Sequence, residues 1–156
     1  MLTATELMGA KTYDAQGNYV GKVREFFVEP AEQPNRVAHF LLARGSFQPL
    51  VARHDQVAAI EAGKLELNVP ERALDAYQPN EGWLAVTKDL LDQQIIDTSG
   101  RKVVRVNDVD LLREQQNGTL KLWVGRVDIG LRGAIRRLLK GLAPGRAVEA
   151  LPSPEH

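Results

Sequence analysis

The chain has 156 residues, with 20 Lys plus Arg against 20 Asp plus Glu and no cysteine. Balanced charge excludes a global field that draws the protein to nucleic acid or an anionic membrane, and the lack of cysteine excludes disulfides, thiolate nucleophiles and cysteine-ligated metal sites. Met1 to Leu7 has neither the basic start nor the apolar core of a signal peptide, and no stretch approaches the roughly 20 apolar residues that span a bilayer, so the sequence reads as soluble and cytoplasmic.

Residues 1 to 9 predict a short polar helical turn capped by Thr3 or Thr5, with Leu7 and Met8 facing inward and Gly9 as its stop. A strand over 10–13 leads to Asp14-Ala-Gln-Gly17, where Asp can bond its own following backbone and Gly can take positive φ, a hairpin turn with a mechanism. Val20, Val23 and Phe26 follow at a spacing of three, which implies a bulge or a strong bend in the strand before Pro30. Residues 29–35 read as a loop. Arg36 to Ala43 is apolar on both faces, a central strand that places His39 in the core. Gly45-Ser46 turns the chain, and short strands are expected over 47–53, 56–60 and 64–69. Their close spacing marks an all-β sandwich or barrel rather than βαβ units.

Pro70, Pro79, Asn80 and Gly82 break the pattern, with one or two helical turns expected over 71–77. The pattern then restarts. A shift of 83 positions matches Leu7 with Leu90, Asp14 with Asp97, Gly17 with Gly100, Val20 with Val103 and Val23 with Val106. It also matches Lys22 with Arg105, Glu25 with Asp108, Val37 with Leu120 and Phe40 with Trp123. An ungapped series of turn and core positions reads as an internal duplication of a small β unit. The expected organisation is a first repeat over 1–77, a linker over 78–89, a second repeat over 90–150 and a disordered tail over 151–156.

After Trp123 the halves diverge. Asp128 is a candidate N-cap, Gly141 a stop, and the spacing predicts a helix over about 129–140. Leu131, Ile135, Leu138, Leu139 and Leu142 share one stripe, and Arg132, Arg136, Arg137 and Lys140 cover the opposite arc. The basic arc is either a solvated face of a helix packed on its own barrel or a docking face for a partner, an anionic lipid surface or RNA.

The pattern of short helix, Gly, strand, Asp-x-x-Gly, Val-x-x-Val and hydrophobic third strand resembles the PRC-barrel, shared by the photosynthetic reaction-centre H subunit and the C-terminal part of the RimM ribosome-maturation proteins. Asp92 to Asp97, Val103 to Val109, Val127 to Gly133 and Arg136-Arg137-Leu138 are similar to bacterial proteins in which PRC-barrel segments precede an MgtE-type N-terminal domain and CBS domains. The resemblance implies two small PRC-like β-barrels with one amphipathic helix, at the inner face of the membrane beside a membrane-protein neighbour. It connects the chain to magnesium transport or its regulation. This sequence ends near Pro154 without the MgtE-like and CBS parts, so their nucleotide or magnesium sensing does not carry over.

Residue chemistry points to no catalysis. His39, His54 and His156 have no second ligand at metal spacing. Asp97, Asp108, Asp110 and Asp128 suggest hard-cation ligands, but Asp97 has a turn to hold, Asp128 a cap, and residues 107–110 are not an EF-hand loop. Gly-x-Gly-x-x-Gly, P-loop and Ser-centred elbow motifs are absent, and no cofactor is expected. The leading reading is a non-catalytic interaction or regulatory scaffold that contacts a protein partner or self-associates through the basic helix or a strand edge. The alternative is RNA or ribosome-associated binding, opposed by neutral charge and by the lack of basic residues interleaved with aromatics.

Overall fold

The computed structural model describes residues 2–91, 94–97, 102–105 and 107–128. The protein is mainly β, and its principal sheet curls as a half-barrel. Among the described residues no helix is long and apolar enough to cross a membrane.

The first half opens with β1 (Leu2–Thr3) and the single turn α1 (Ala4–Leu7). Thr3 accepts from Glu6 N at 3.2 Å while the Glu6 carboxylate accepts from Thr3 N at 2.9 Å, a reciprocal cap that lets so short a helix hold its shape. The hairpin of β2 (Lys11–Tyr13) and β3 (Tyr19–Glu29) follows, then β4 (Gln33–Ala43). Asp14 makes the first turn as its spacing implied: Oδ1 accepts from Gln16 N and Asn18 N at 2.9 and 2.8 Å, and Gly17 sits at φ +84°. The implied bulge is a register shift between Val23 and Glu25.

Chain turns and short strands complete this half: β5 (Leu50–Arg53), β6 (Val57–Glu61), β7 (Lys64–Leu67) and β8 (Asp75–Ala76). The second half contributes β9 (Leu84–Ala85), α2 (Val86–Asp89), the hairpin β10 (Gln94–Asp97) and β11 (Lys102–Arg105), and the hairpin β12 (Asp108–Gln116) and β13 (Thr119–Asp128). Residues 84–89, read from sequence as linker, thus carry a strand and a helical turn.

The main sheet runs β1-β12-β13-β4-β3-β2-β7-β6, with β5 beside β4, β8 beside β5 and β9 beside β3. The halves join where Trp123 of β13 pairs with Arg36 of β4. One core spans them, with Leu7, Phe26, Phe40 and Leu42 buried in the same cluster as Val109, Leu111, Leu122 and Val124. The β12–β13 hairpin also lies against β6, where Arg113 donates to Ile60 O at 2.9 Å and Gln115 to Ala58 O at 3.3 Å.

Several local expectations are corrected. The loop expected over 29–35 is a tight turn, because β3 continues to Glu29 and β4 begins at Gln33, with Pro34 tolerated where the pairing is irregular. The strand expected from Phe47 starts at Leu50, leaving Phe47 67% exposed under the Arg44 guanidinium. The helical turns expected over 71–77 are one 3-10 turn, Glu71–Ala73, followed by β8. Phe40 and Trp123 are not equivalent in place: Phe40 is core, while Trp123 is only partly buried and its indole donates to Glu114 at 3.0 Å. A bulge at Ala38, between the pairs Phe27–His39 and Val28–Val37, reverses the alternation of β4, whereas β13 alternates evenly through Leu120, Leu122 and Val124.

Candidate functional site

The bulge at Ala38 also decides which side chains of β3 and β4 leave the core. Phe26 and Phe40 point in; Phe27, His39 and Leu41 lie on the outer face, so His39 is not the core residue that the sequence implied. Its Nε2 lies 3.2 Å from Glu29, its ring stacks on Trp83 at 3.7 Å, and Nδ1 is buried without a hydrogen bond.

A second, smaller apolar cluster forms there under the segment that leads into β9. Phe27 stacks on Tyr77 with ring centres 5.8 Å apart and tilts against Trp83 at 5.5 Å. Trp83 is aimed by an Asx turn: Asn80 Oδ1 accepts from Gly82 N at 2.8 Å and its carbonyl from Trp83 N at 3.1 Å. Tyr77 is held by its N–H to Pro49 O at 2.9 Å.

Beside these rings runs an open groove of about 730 Å³. Phe27, Leu41, Tyr77 and Trp83 supply its apolar wall, and exposed Arg24, Glu81 and Lys88 stand on its rim. At one end lies the buried Glu25 carboxylate, which accepts from Phe26 N, Thr87 N and Lys88 N at 3.0 Å each and from Thr87 Oγ1 at 2.6 Å. These bonds fix the start of α2 against β3 and hold that end of the groove rigid. An aromatic wall with charges of both signs on its rim suits an extended polypeptide, whose apolar side chains can lie on the rings while its charges pair at the edge.

A second polar group lies where β13 meets the turn after β5. Lys121 Nζ is 2.9 Å from His54 Nδ1. Burial, then the nearby Arg36 and Lys121 cations, hold the His54 imidazole below its ordinary value. Arg36 is itself paired to Glu32 at 2.7 Å, and Arg53 to Asp55 at 3.2 Å.

The residues singled out by sequence are distributed as follows. Asp108 accepts from Val109 N at 2.8 Å and from Thr5 N at 3.3 Å, and its backbone partner across the hairpin is Asp128, the last residue of β13. In backbone register, Asp110 stands opposite Arg126 on β13 and Asp97 opposite Lys102 on β11. Among the described residues there is no group of three or more His, Asp or Glu that could hold a metal ion. Gly100, Arg132, Arg136, Arg137, Lys140 and the predicted helix over 129–140 lie outside the described residues, as does the tail.

Sequence reasoning missed the groove because its wall comes from the segment read as linker. The available signal was Tyr77 and Trp83 bracketing Pro79, Asn80 and Gly82, two large aromatics in a stretch otherwise made of turn residues. No protein-family model and no curated protein matches the chain.

Proposed function

We propose that this protein is a non-catalytic interaction and regulatory module, built as two PRC-barrel-like units by internal duplication, and that it holds an extended segment of a partner protein in the groove beside Phe27 and Trp83. The observation that carries the reading is the groove: three aromatic rings beside an exposed Arg, the residue types in which interface cores are enriched. The two-unit architecture is supported by register. Lys11 pairs with Lys22 and Thr12 with Gly21, and at the same offset of 83 Gln94 pairs with Arg105 and Ile95 with Val104. The resemblance to segments that precede MgtE-type domains is the warrant for magnesium transport or its regulation as the process, and for a position at the inner face of the membrane. The basic arc of Arg132, Arg136, Arg137 and Lys140 is proposed as a second contact for the same partner.

A photo-crosslinking residue at Glu81, introduced in the native host, captures the partner, and the purified pair is then titrated. Trp83→Ala is expected to weaken binding about tenfold or more, and Phe47→Ala, elsewhere on the surface, to leave it unchanged. Charge reversal of Arg132, Arg136 and Arg137 weakens capture without unfolding the protein. Equal binding by wild type and Trp83→Ala rejects the groove.

RNA or ribosome-associated binding of the RimM kind is the second reading. It is disfavoured because Arg36, whose charge acts on His54, and Arg53, next to His54 in the chain, already pair with Glu32 and Asp55. Labelled RNA titrated at two salt concentrations is expected to show no saturable binding; an affinity that falls steeply with salt would replace the protein-partner reading.

A further inference from the structure

Residues 2–8 belong by chain order to the first half, yet they are seated on the second. Leu2 pairs with Leu111 and Thr3 with Asp110 on β12, and Thr5 N donates to Asp108. Other polar bonds of this arm are local: the Thr3–Glu6 cap, Met8 N to Ala4 O, and Ala10 N to Leu7 O at 3.1 Å. The backbone of the first half takes hold at Gly9, whose N–H donates to Val23 O at 2.7 Å, while Ala4 and Leu7 lie in the core cluster that both halves share. The second half does the converse, laying β9 and α2 on β3 through Phe27–Ala85, Val28–Leu84 and the four bonds to Glu25. Each half therefore has its leading segment seated on the other.

We propose that β12 is a strand-addition seat which a second copy of this chain fills with its own residues 2–8, so that two copies associate by exchanging arms. The seat reads the arm through backbone pairing, one carboxylate and the buried Ala4 and Leu7, and these contacts are the same whichever chain supplies the arm. A pivot is present where exchange requires one. Gly9 is exposed and sits at φ +84°, a backbone state open to glycine, and re-aiming the arm there breaks the bond from Ala10 N to Leu7 O that spans it. The closed single chain competes with an effective concentration in the millimolar range, so exchange grows with protein concentration. Trp83 and Arg24 take no part, which leaves this inference independent of the groove.

The absence of native cysteine gives an unambiguous test. One chain carries Thr3→Cys and another Asp110→Cys, facing positions in the arm–β12 pair. Mixed under mild oxidation, they are expected to form a covalent heterodimer in excess over Thr3→Cys homodimers, with a share that rises with concentration. Sedimentation of the unmodified chain runs in parallel, with a dimer fraction that rises with concentration and is left unchanged by Asp108→Ala, because the bond to Thr5 is present in both the closed and the exchanged form. Homodimer formation equal to heterodimer formation overturns the proposal, as does an unmodified chain that stays monomeric up to millimolar concentration. Should either cysteine variant fail to fold, the sedimentation series decides alone.

Discussion

Glu25 and Asp108 stand 83 positions apart and hold opposite halves of the molecule by the same bond. Glu25 Oε1 accepts from Lys88 N at the start of α2, and Asp108 Oδ1 from Thr5 N at the start of α1, donors that are themselves 83 positions apart. Each carboxylate also accepts from the residue that follows it, Phe26 or Val109. The equivalence is not complete, because Glu25 is buried and collects four donors at 2.6–3.0 Å, whereas the Asp108 bond to Thr5 is longer and exposed.

Unequal burial predicts unequal cost. Glu25→Ala leaves buried donors unpaired and is expected to destabilise the protein by about 2–4 kcal/mol. Asp108→Ala removes one exposed cap and should cost about 1 kcal/mol. Urea unfolding of the two variants against wild type measures both; equal losses would show that the two caps are energetically equivalent.

Asp14 predicts an acid-sensitive component of stability. Burial pushes its carboxyl up, but N–H bonds from Asn18, Glu71 and Gln16 outweigh that and hold it below its ordinary value. A group that binds its proton less tightly when folded contributes stability that is present above the ordinary carboxylate value and lost as the pH falls through the lower folded value. Asp14→Asn should flatten that part of the stability profile, measured by thermal unfolding across the acid range.

His54 adds a second pH dependence, in a higher window. Burial first, and then the charges of Arg36 and Lys121, disfavour its cation, while Asp55 and Glu32 oppose them only in part. The contribution is present above the ordinary imidazole value and lost as the pH falls through it toward the lower folded value. Replacing His54 with Gln removes this slope from the unfolding curve, and Lys121→Met should reduce it.

Gly21 and Gly17 separate two reasons for glycine. At Gly21, φ is +137° and a Cβ would stand 2.7 Å from Ala43 O, across the β3–β4 pair. Gly21→Ala is expected to cost about 3 kcal/mol, since both the backbone and the neighbouring strand must give. Gly17, at φ +84° in open space, meets no neighbour, so Gly17→Ala should cost about 1 kcal/mol. Chemical denaturation with unchanged m-values checks the pair.

What could be read from sequence follows from range. The Asp14–Gly17 turn, the α1 cap and the clean alternation of Leu65 and Leu67 depend on residues within four positions of one another, and their chemistry was visible. The bulge at Ala38 exists only because β3 lies alongside, so nothing in Val37 to Phe40 announced that His39 would face outward or that the match of Phe40 with Trp123 would fail. The seating of residues 2–8 on β12 joins positions more than a hundred apart, and the match of residues at an offset of 83 does not by itself say that the helical turns are seated crosswise. The groove stayed hidden for the same reason, since Trp83 becomes a wall only when Phe27 and His39 are turned toward it.

The crosswise seating also sets an order of events during synthesis. Residues 2–8 leave the ribosome well before β12 and β13, which complete their seat and are made more than a hundred residues later. At roughly 5–20 residues per second the arm waits several seconds with Leu2 and Leu7 unburied, while β2 to β7 can already pair locally. A nascent chain probed by limited proteolysis should accordingly be cut within residues 2–8 until β13 has emerged, and become protected once it has.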